Sequence, residues 1–288
     1  MDNNDFAELF RSFAATVVDA IDEVSQFSKG HTANVARLCV DFATHLGAAF
    51  PIGHLYHFDA NRIEALRMAA MLHDIGKFAT PRHILDKQTR LGERIEPIRY
   101  RFAIYALQNP DNAANSAAAL ALVEEINTIS WLTEEHLEKI RGLTDLHYIK
   151  DDKPAPLLDE QDMECLQIRW GTLTEAERSK MKEHPAITGA LLANVKFCNI
   201  YQNIPKIARD HHELLDGSGY PLALRDKQIT IETRILTIMD IYEALTSPDR
   251  PHKKAMPPTQ ALRVLTNMAA EGKLDRELVT LFATHSTT

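Results

Sequence analysis

The sequence predicts an all-α fold, and three observations carry that expectation. Strict alternation of apolar and polar residues, the mark of a half-buried strand, is nearly absent. Apolar residues instead recur at three- and four-residue steps from Phe6 onward, as in Leu66, Ala69, Ala70 and His73. Helix-start signals stand where such runs begin. Thr174 followed by Glu177 makes a capping box, and Pro257-Pro258 opens a helix at a position whose missing N–H would go unpaired anyway.

In chain order the expected helices are 5–25, 30–47, 60–73, 95–108, 113–129, 133–143, 174–183, 186–198, 204–213, 231–247, 258–271 and 275–284. The first is amphipathic and reads as a connector and a candidate homodimer contact. The third carries Ala69, Ala70 and Leu72 on its apolar face and ends at His73-Asp74. Residues 93–169 have helical patterns of their own, an alanine-rich stretch from Ala113 to Ala121 and a polar linker from Lys150 to Pro156. Their simplest reading is a helical hairpin packed on the main body, with a regulatory or dimer-forming role as the alternative. The 231–247 helix is apolar on most sides yet holds Asp240 between Met239 and Ile241. A carboxylate buried there costs several kcal/mol unless it is paired or metal-bound.

Composition narrows the function. With 288 residues, 45% hydrophobic and 25% charged, the chain is neither disordered nor fibrous, and it needs no structural metal merely to fold. Cys39, Cys165 and Cys198 are odd in number and lack CxxC spacing, which argues against disulfides and a thiolate zinc site and leaves them to core packing. A net charge of −8 with scattered Lys and Arg gives no footprint for a DNA or RNA duplex. Residues 1–5 lack a basic or apolar leader, and the longest aliphatic run, Ala117 to Val123, is too short to span a bilayer. The expectation is a cytoplasmic protein without a membrane segment.

Ligand-type side chains gather at predicted helix ends. His73-Asp74 stands where a helix stops, and two adjacent donors there can turn toward one ion while the carboxylate's second oxygen bridges to another. Alone, such a dipeptide is more often a hydrogen-bonded helix end. His31, His184 before Pro185, His211-His212 and Asp240 add donors at other helix ends and faces.

The chain resembles the HD-GYP family, the cyclic-dinucleotide phosphodiesterase branch of the HD phosphohydrolases. The resemblance runs through Gly30-His31, His73-Asp74-Ile75-Gly76-Lys77, Lys182-Glu183-His184-Pro185, Asp210-His211-His212-Glu213 with Asp216-Gly217-Ser218-Gly219-Tyr220-Pro221, and Asp240 with Ala244-Leu245-Thr246-Ser247 and Asp249-Arg250-Pro251. It implies an HD-domain helical bundle formed by 26–92 and 170–288, after a connector at 1–25 and around an insertion at 93–169. It implies that His31, His73, Asp74, His184, His211, His212 and Asp240 hold two divalent metal ions, with Asp74 bridging. Iron is the family's metal, manganese suits the same donors, and ligand type does not exclude zinc. Asp74 and Lys77 become the catalytic pair, and Lys77, Tyr220, Arg250 and Lys253 the substrate contacts. Outside that context the three cations are ordinary surface charges.

The implied reaction is attack on phosphorus by a hydroxide bridging the two ions, opening cyclic di-GMP to linear pGpG, with the further cut to GMP left open. Two alternatives stand beside it: hydrolysis of 3′,3′-cyclic GMP-AMP, and a non-catalytic module binding the dinucleotide or a diguanylate cyclase (GGDEF) domain. The chain departs from the family in four places. Phe27 replaces a glutamate that helps hold a third metal in some members, which implies two ions rather than three. Leu214 replaces the arginine after His-His-Glu, which puts the rigidity of the glycine loop in question. Pro248 is an extra residue, and His252 stands where the family often has Tyr. His54 and His57, three apart, could suggest a further metal site but lack a third partner.

Overall fold

The computed structural model describes residues 3–24, 30–247 and 255–286. Its helices are α1 (Asn3–Val24), α2 (His31–Ala49), α3 (Ala60–Leu72), α4 (Arg82–Leu85), α5 (Ile95–Gln108), α6 (Ala113–Thr128), α7 (Glu134–Arg141), α8 (Glu160–Leu166), α9 (Glu175–Met181), α10 (His184–Ala193), α11 (Ile204–Arg209), α12 (Ile231–Thr246), α13 (Pro258–Ala270) and α14 (Arg276–His285). The expected all-α class is observed. Among the described residues the strands are one short antiparallel pair, β1 (His147–Lys150) and β2 (Lys153–Pro156).

That hairpin replaces the polar linker expected at 150–156. Lys150 pairs with Lys153 across a two-residue turn in which Asp151 and Asp152 both take positive φ, 50° and 61°. Two left-handed residues give the turn that matches strand twist, and aspartate adopts it more readily than most residues. Pro154 and Pro156 hide the strand in the sequence, because proline is compatible only with an edge. The short α8 also escapes the periodicity, and its start is a capping box between Asp159 and Asp162.

The chain divides into two compact units, residues 1–81 with 180–288, and residues 82–179. In the first unit, Phe42, Leu46, Leu66, Met68, Ile204, Ile235, Leu236, Met239, Leu265 and Leu278 form one apolar core. α12 is buried along most of its length, as a helix apolar on most sides must be. α1 packs into this unit: Ala14, Val18 and Ile21 are buried, and Phe10 packs edge-on against Tyr201 at 5.1 Å. His54 and His57 brace the α2–α3 loop. The His54 ring stacks on Phe50 and accepts from the Tyr56 amide, and His57 Nδ1 donates to the Phe50 carbonyl.

The second unit has its own core of Ile98, Phe102, Val123, Ile126, Leu132, Ile140, Leu157 and Leu166, so it is more than a hairpin. Two ionic features hold it. Buried Arg90 donates to the carbonyls of Ile126, Ile129 and Ile168, capping the end of α6. Asp162, fully buried, accepts from Arg94 Nε and Arg101 Nη2 at 2.6 Å each.

Asp162→Ala would leave two cations beside an apolar wall. The expected loss is about 3 kcal/mol, the low end for a broken buried pair because both arginines keep partial access to water. Urea unfolding followed by hydrogen exchange should place that loss in α5 and α8.

Candidate metal centre

All donors of the centre but Asp240 stand where a helix of the first unit begins or ends. His31 is the first residue of α2, and His73-Asp74 follow the last turn of α3. His184 opens α10. α11 stops at Arg209, not at 213 as its apolar pattern predicts, and this frees His211 and His212 from the helix. Asp240 lies on α12.

Three of the imidazoles are oriented in one way. His73 Nδ1 donates to the Ala70 carbonyl at 2.6 Å, His184 Nδ1 to Met181 at 2.8 Å and His211 Nδ1 to Ala208 at 2.7 Å. A carbonyl only accepts, so Nδ1 carries a proton in each ring, and in the neutral tautomer this leaves Nε2 as the lone-pair atom turned inward. Donation of the outer nitrogen to an acceptor is how ligating histidines are held.

The inward atoms form two groups, His31 with His73 and Asp74, and His184 with His211 and His212. Asp74 faces both. Its Oδ2 is 3.3 Å from His73 Nε2 and 3.7 Å from His31 Nε2, and its Oδ1 is 3.3 Å from His184 Nε2 and 3.9 Å from His211 Nε2. Asp240 also spans the groups, with Oδ1 3.1 Å from His31 Nε2 and Oδ2 3.9 Å from His212 Nδ1. All seven expected donors are brought together.

The donor set fits a cation. His184 Nε2 and His211 Nε2 face each other at 3.4 Å, and with both protons on Nδ1 neither has a hydrogen to offer the other. His73 Nε2 is buried with no hydrogen-bond partner, its contact to Asp74 lacking the necessary direction. Lone pairs and carboxylate oxygens converging on one space repel unless positive charge lies among them. No thiol is involved, since Cys39 and Cys165 are buried elsewhere and Cys198 is exposed rather than in the core.

Electrostatics agree with ligand-ready forms. Burial alone would raise Asp74, but the neighbouring His73 and Lys77 hold it well below the usual carboxylate range. Burial likewise opposes ionisation of Asp240, and His31 outweighs it. His211 is held well below the ordinary histidine value by burial and the imidazoles around it, and burial pushes His212 to about 4. His31 behaves oppositely. Its burial is outweighed by hydrogen bonds to Asp240 and Glu243, which raise it to about 9.

Three residues that sequence reasoning missed, Glu243, Thr188 and Thr237, hold the donors in place, and Glu213 holds the loop beside them. Glu243 receives His31 Nδ1 in a very short buried contact and lies 3.4 Å from Asn34 Nδ2. Its signal was its spacing, three residues past Asp240 on the same helix. Thr188 accepts from the Gly76 amide and donates to the His73 carbonyl, both at 2.9 Å. This clip needs Gly76, because a Cβ there would lie 2.0 Å from the His184 carbonyl oxygen. Thr237 places its hydroxyl 2.8 Å from the His211 carbonyl. Glu213 answers the question raised by Leu214: it accepts from the Leu222 and Leu224 amides at 2.6 and 2.8 Å, tying the glycine loop with no arginine.

Of the expected substrate contacts, Lys77 Nζ lies 2.5 Å from Asp74 Oδ2, and the Tyr220 ring is 4.8 Å from that of His212. Gly219 lets the loop turn in, since a Cβ there would come within 2.3 Å of the Leu214 amide. Arg250 and Lys253 lie outside the described residues, as do Phe27, Pro248 and His252.

The HD-domain signature is matched twice, over residues 29–168 and over 163–278. Together the two matches, which run from 29 to 278, make this an HD-domain chain. The 3'3'-cGAMP-specific phosphodiesterase 1 of Vibrio cholerae is 24% identical to this chain, over 97% of it and 42% of the relative. The cyclic di-GMP phosphodiesterase response regulator RpfG of Xanthomonas campestris is 34% identical over 54% of this chain and 39% of its own length. The 3'3'-cGAMP-specific phosphodiesterase 3 of Vibrio cholerae is 38% identical over 33% and 20%. The chain thus spans less than half the length of these curated relatives.

Glu243→Gln should lower metal affinity about 10- to 100-fold while the fold is kept. Chelator competition followed by metal analysis measures this, with circular dichroism as the control. Unchanged affinity would remove Glu243 from the centre.

Proposed function

We propose that this chain is a metal-dependent cyclic-dinucleotide phosphodiesterase that hydrolyses cyclic di-GMP to pGpG, with GMP as the product of a second cut. The observation that supports it most is the Asp74 carboxylate, whose two oxygens each address one group of imidazoles. His31, His73, Asp74 and Asp240 would hold one divalent ion, and Asp74, His184, His211 and His212 a second. Two ions rather than three follow from Phe27, which cannot ligate. Imidazole and carboxylate donors without thiolate suit iron or manganese and do not exclude zinc, and the family resemblance puts iron first. Bound there, the ions supply an activated water and neutralise phosphoryl charge.

The protein's own part is electrostatic and positional. Asp74 and Asp240 stay ionised and His73, His184 and His211 already turn Nε2 inward, whereas His31, raised to about 9 by Asp240 and Glu243, would give up a proton when a cation enters. Lys77, three residues past Asp74, meets a phosphoryl oxygen as negative charge grows there. Tyr220 closes the space beside His212, and Arg250 and Lys253 take the phosphate or guanine side.

A second substrate has one observation in its favour. The relative that matches over 97% of this chain is named for 3'3'-cGAMP, so hydrolysis of that dinucleotide is the alternative reading. Among the described residues no helix is long and apolar enough to cross a membrane, and the substrate class places the activity in the bacterial cytoplasm. Homodimerisation through α1 and docking of a diguanylate cyclase domain belong to the same reading. Leu9 and Phe13 of α1, 58% and 63% exposed, support the former.

Metal-loaded protein should convert cyclic di-GMP to pGpG in an anaerobic assay followed by chromatography, and Asp74→Ala should abolish turnover. Running 3′,3′-cyclic GMP-AMP in competition decides the substrate. A fully loaded protein that cleaves neither contradicts the proposal.

A further inference from the structure

We propose that Lys182 binds the phosphodiester of the cyclic dinucleotide that is not being cut. This rests on the reading of the centre as a cyclic-dinucleotide phosphodiesterase.

Lys182 stands two residues before His184, on the stretch that leads into α10. Its Nζ lies 5.8 Å from the centroid of the Tyr220 ring, which in turn is 4.8 Å from that of His212. The ammonium is therefore no farther than about 11 Å from a proposed metal ligand, at the rim of the centre. Its neighbour Glu183 pairs with Lys180 at 2.7 Å, and Lys182 itself enters no ion pair with a described residue. Lys77 differs, with its ammonium held by Asp74 inside the centre. One cation thus lies beside the donors and another stands uncommitted at the mouth.

This arrangement matches a substrate with two phosphates. A cyclic dinucleotide carries its phosphodiesters on opposite sides of one small ring, so seating one at the donors leaves the other at the rim. The donors themselves carry the carboxylates of Asp74 and Asp240, with Glu243 behind them, which makes an uncompensated second phosphate unfavourable there. The ammonium itself stands over the Tyr220 face at 5.8 Å, a loose contact that leaves its N–H donors available to a ligand. A diester with a single phosphorus has nothing to place at this point.

The test compares wild type with Lys182→Met, which removes the charge at similar side-chain length, and with Lys182→Arg. All are loaded with metal and assayed on cyclic di-GMP and on bis(p-nitrophenyl) phosphate, which has one phosphorus. Lys182→Met should raise KM for cyclic di-GMP about five- to tenfold with kcat much less affected. It should flatten the dependence of KM on salt, and its loss on the single-phosphorus diester should be smaller. Lys182→Arg should recover most of the affinity. If wild type turns over cyclic di-GMP and Lys182→Met matches it, Lys182 has no such role and the reading of the centre stands. Equal losses on both substrates overturn the assignment as well. A wild type inactive on cyclic dinucleotides overturns both the reading and this proposal.

Discussion

The centre depends on one buried carboxylate shared between two sets of imidazoles. Asp74 is 2% exposed, and removing such an ion from water costs several kcal/mol unless opposite charge surrounds it. Here Lys77 contacts one oxygen and histidines from three other parts of the chain approach both. A carboxylate so placed cannot move without breaking contacts to α2, α10 and the segment after α11 together. The site is rigid because its most costly group is also its most connected one.

The surrounding fold serves that placement through small polar contacts rather than through the apolar core alone. Thr188 and Thr237 grip the carbonyls of His73 and His211, and Glu243 grips His31. Gly76 and Gly219 are absent side chains that let backbone approach backbone, one toward His184 and the other toward His212. Short helices that stop early complete the pattern. α11 gives up its last expected turn so that two adjacent imidazoles can leave the helix, and the Nδ1 donation of His211 to Ala208 caps the end that results.

Most helices were legible in the sequence because their apolar period is long and uninterrupted, as in α2, α6 and α12. The donor set could be read because the blocks around it resemble a known family; on physical cost alone Asp240, a carboxylate inside an apolar helix, stood out. What escaped the sequence shares a physical reason. Thr188, Thr237 and Glu243 act through hydrogen bonds to partners 26 to 212 residues away, and no local pattern marks them. The β1–β2 hairpin was hidden by its prolines, and the compact unit at 82–179 by apolar residues that meet only in three dimensions. Cys198, expected in the core, is exposed because the chain beyond α10 leaves the helix at Ala193.

The central claim is that two cations occupy the space around Asp74. The most direct measurement is metal content per chain, by plasma mass spectrometry, of anaerobically purified wild type and Asp74→Asn. The account predicts about two iron or manganese ions per wild-type chain and the loss of both together in the variant, since one carboxylate serves each. Folded wild-type protein without bound metal, or a variant that keeps both ions, would contradict it.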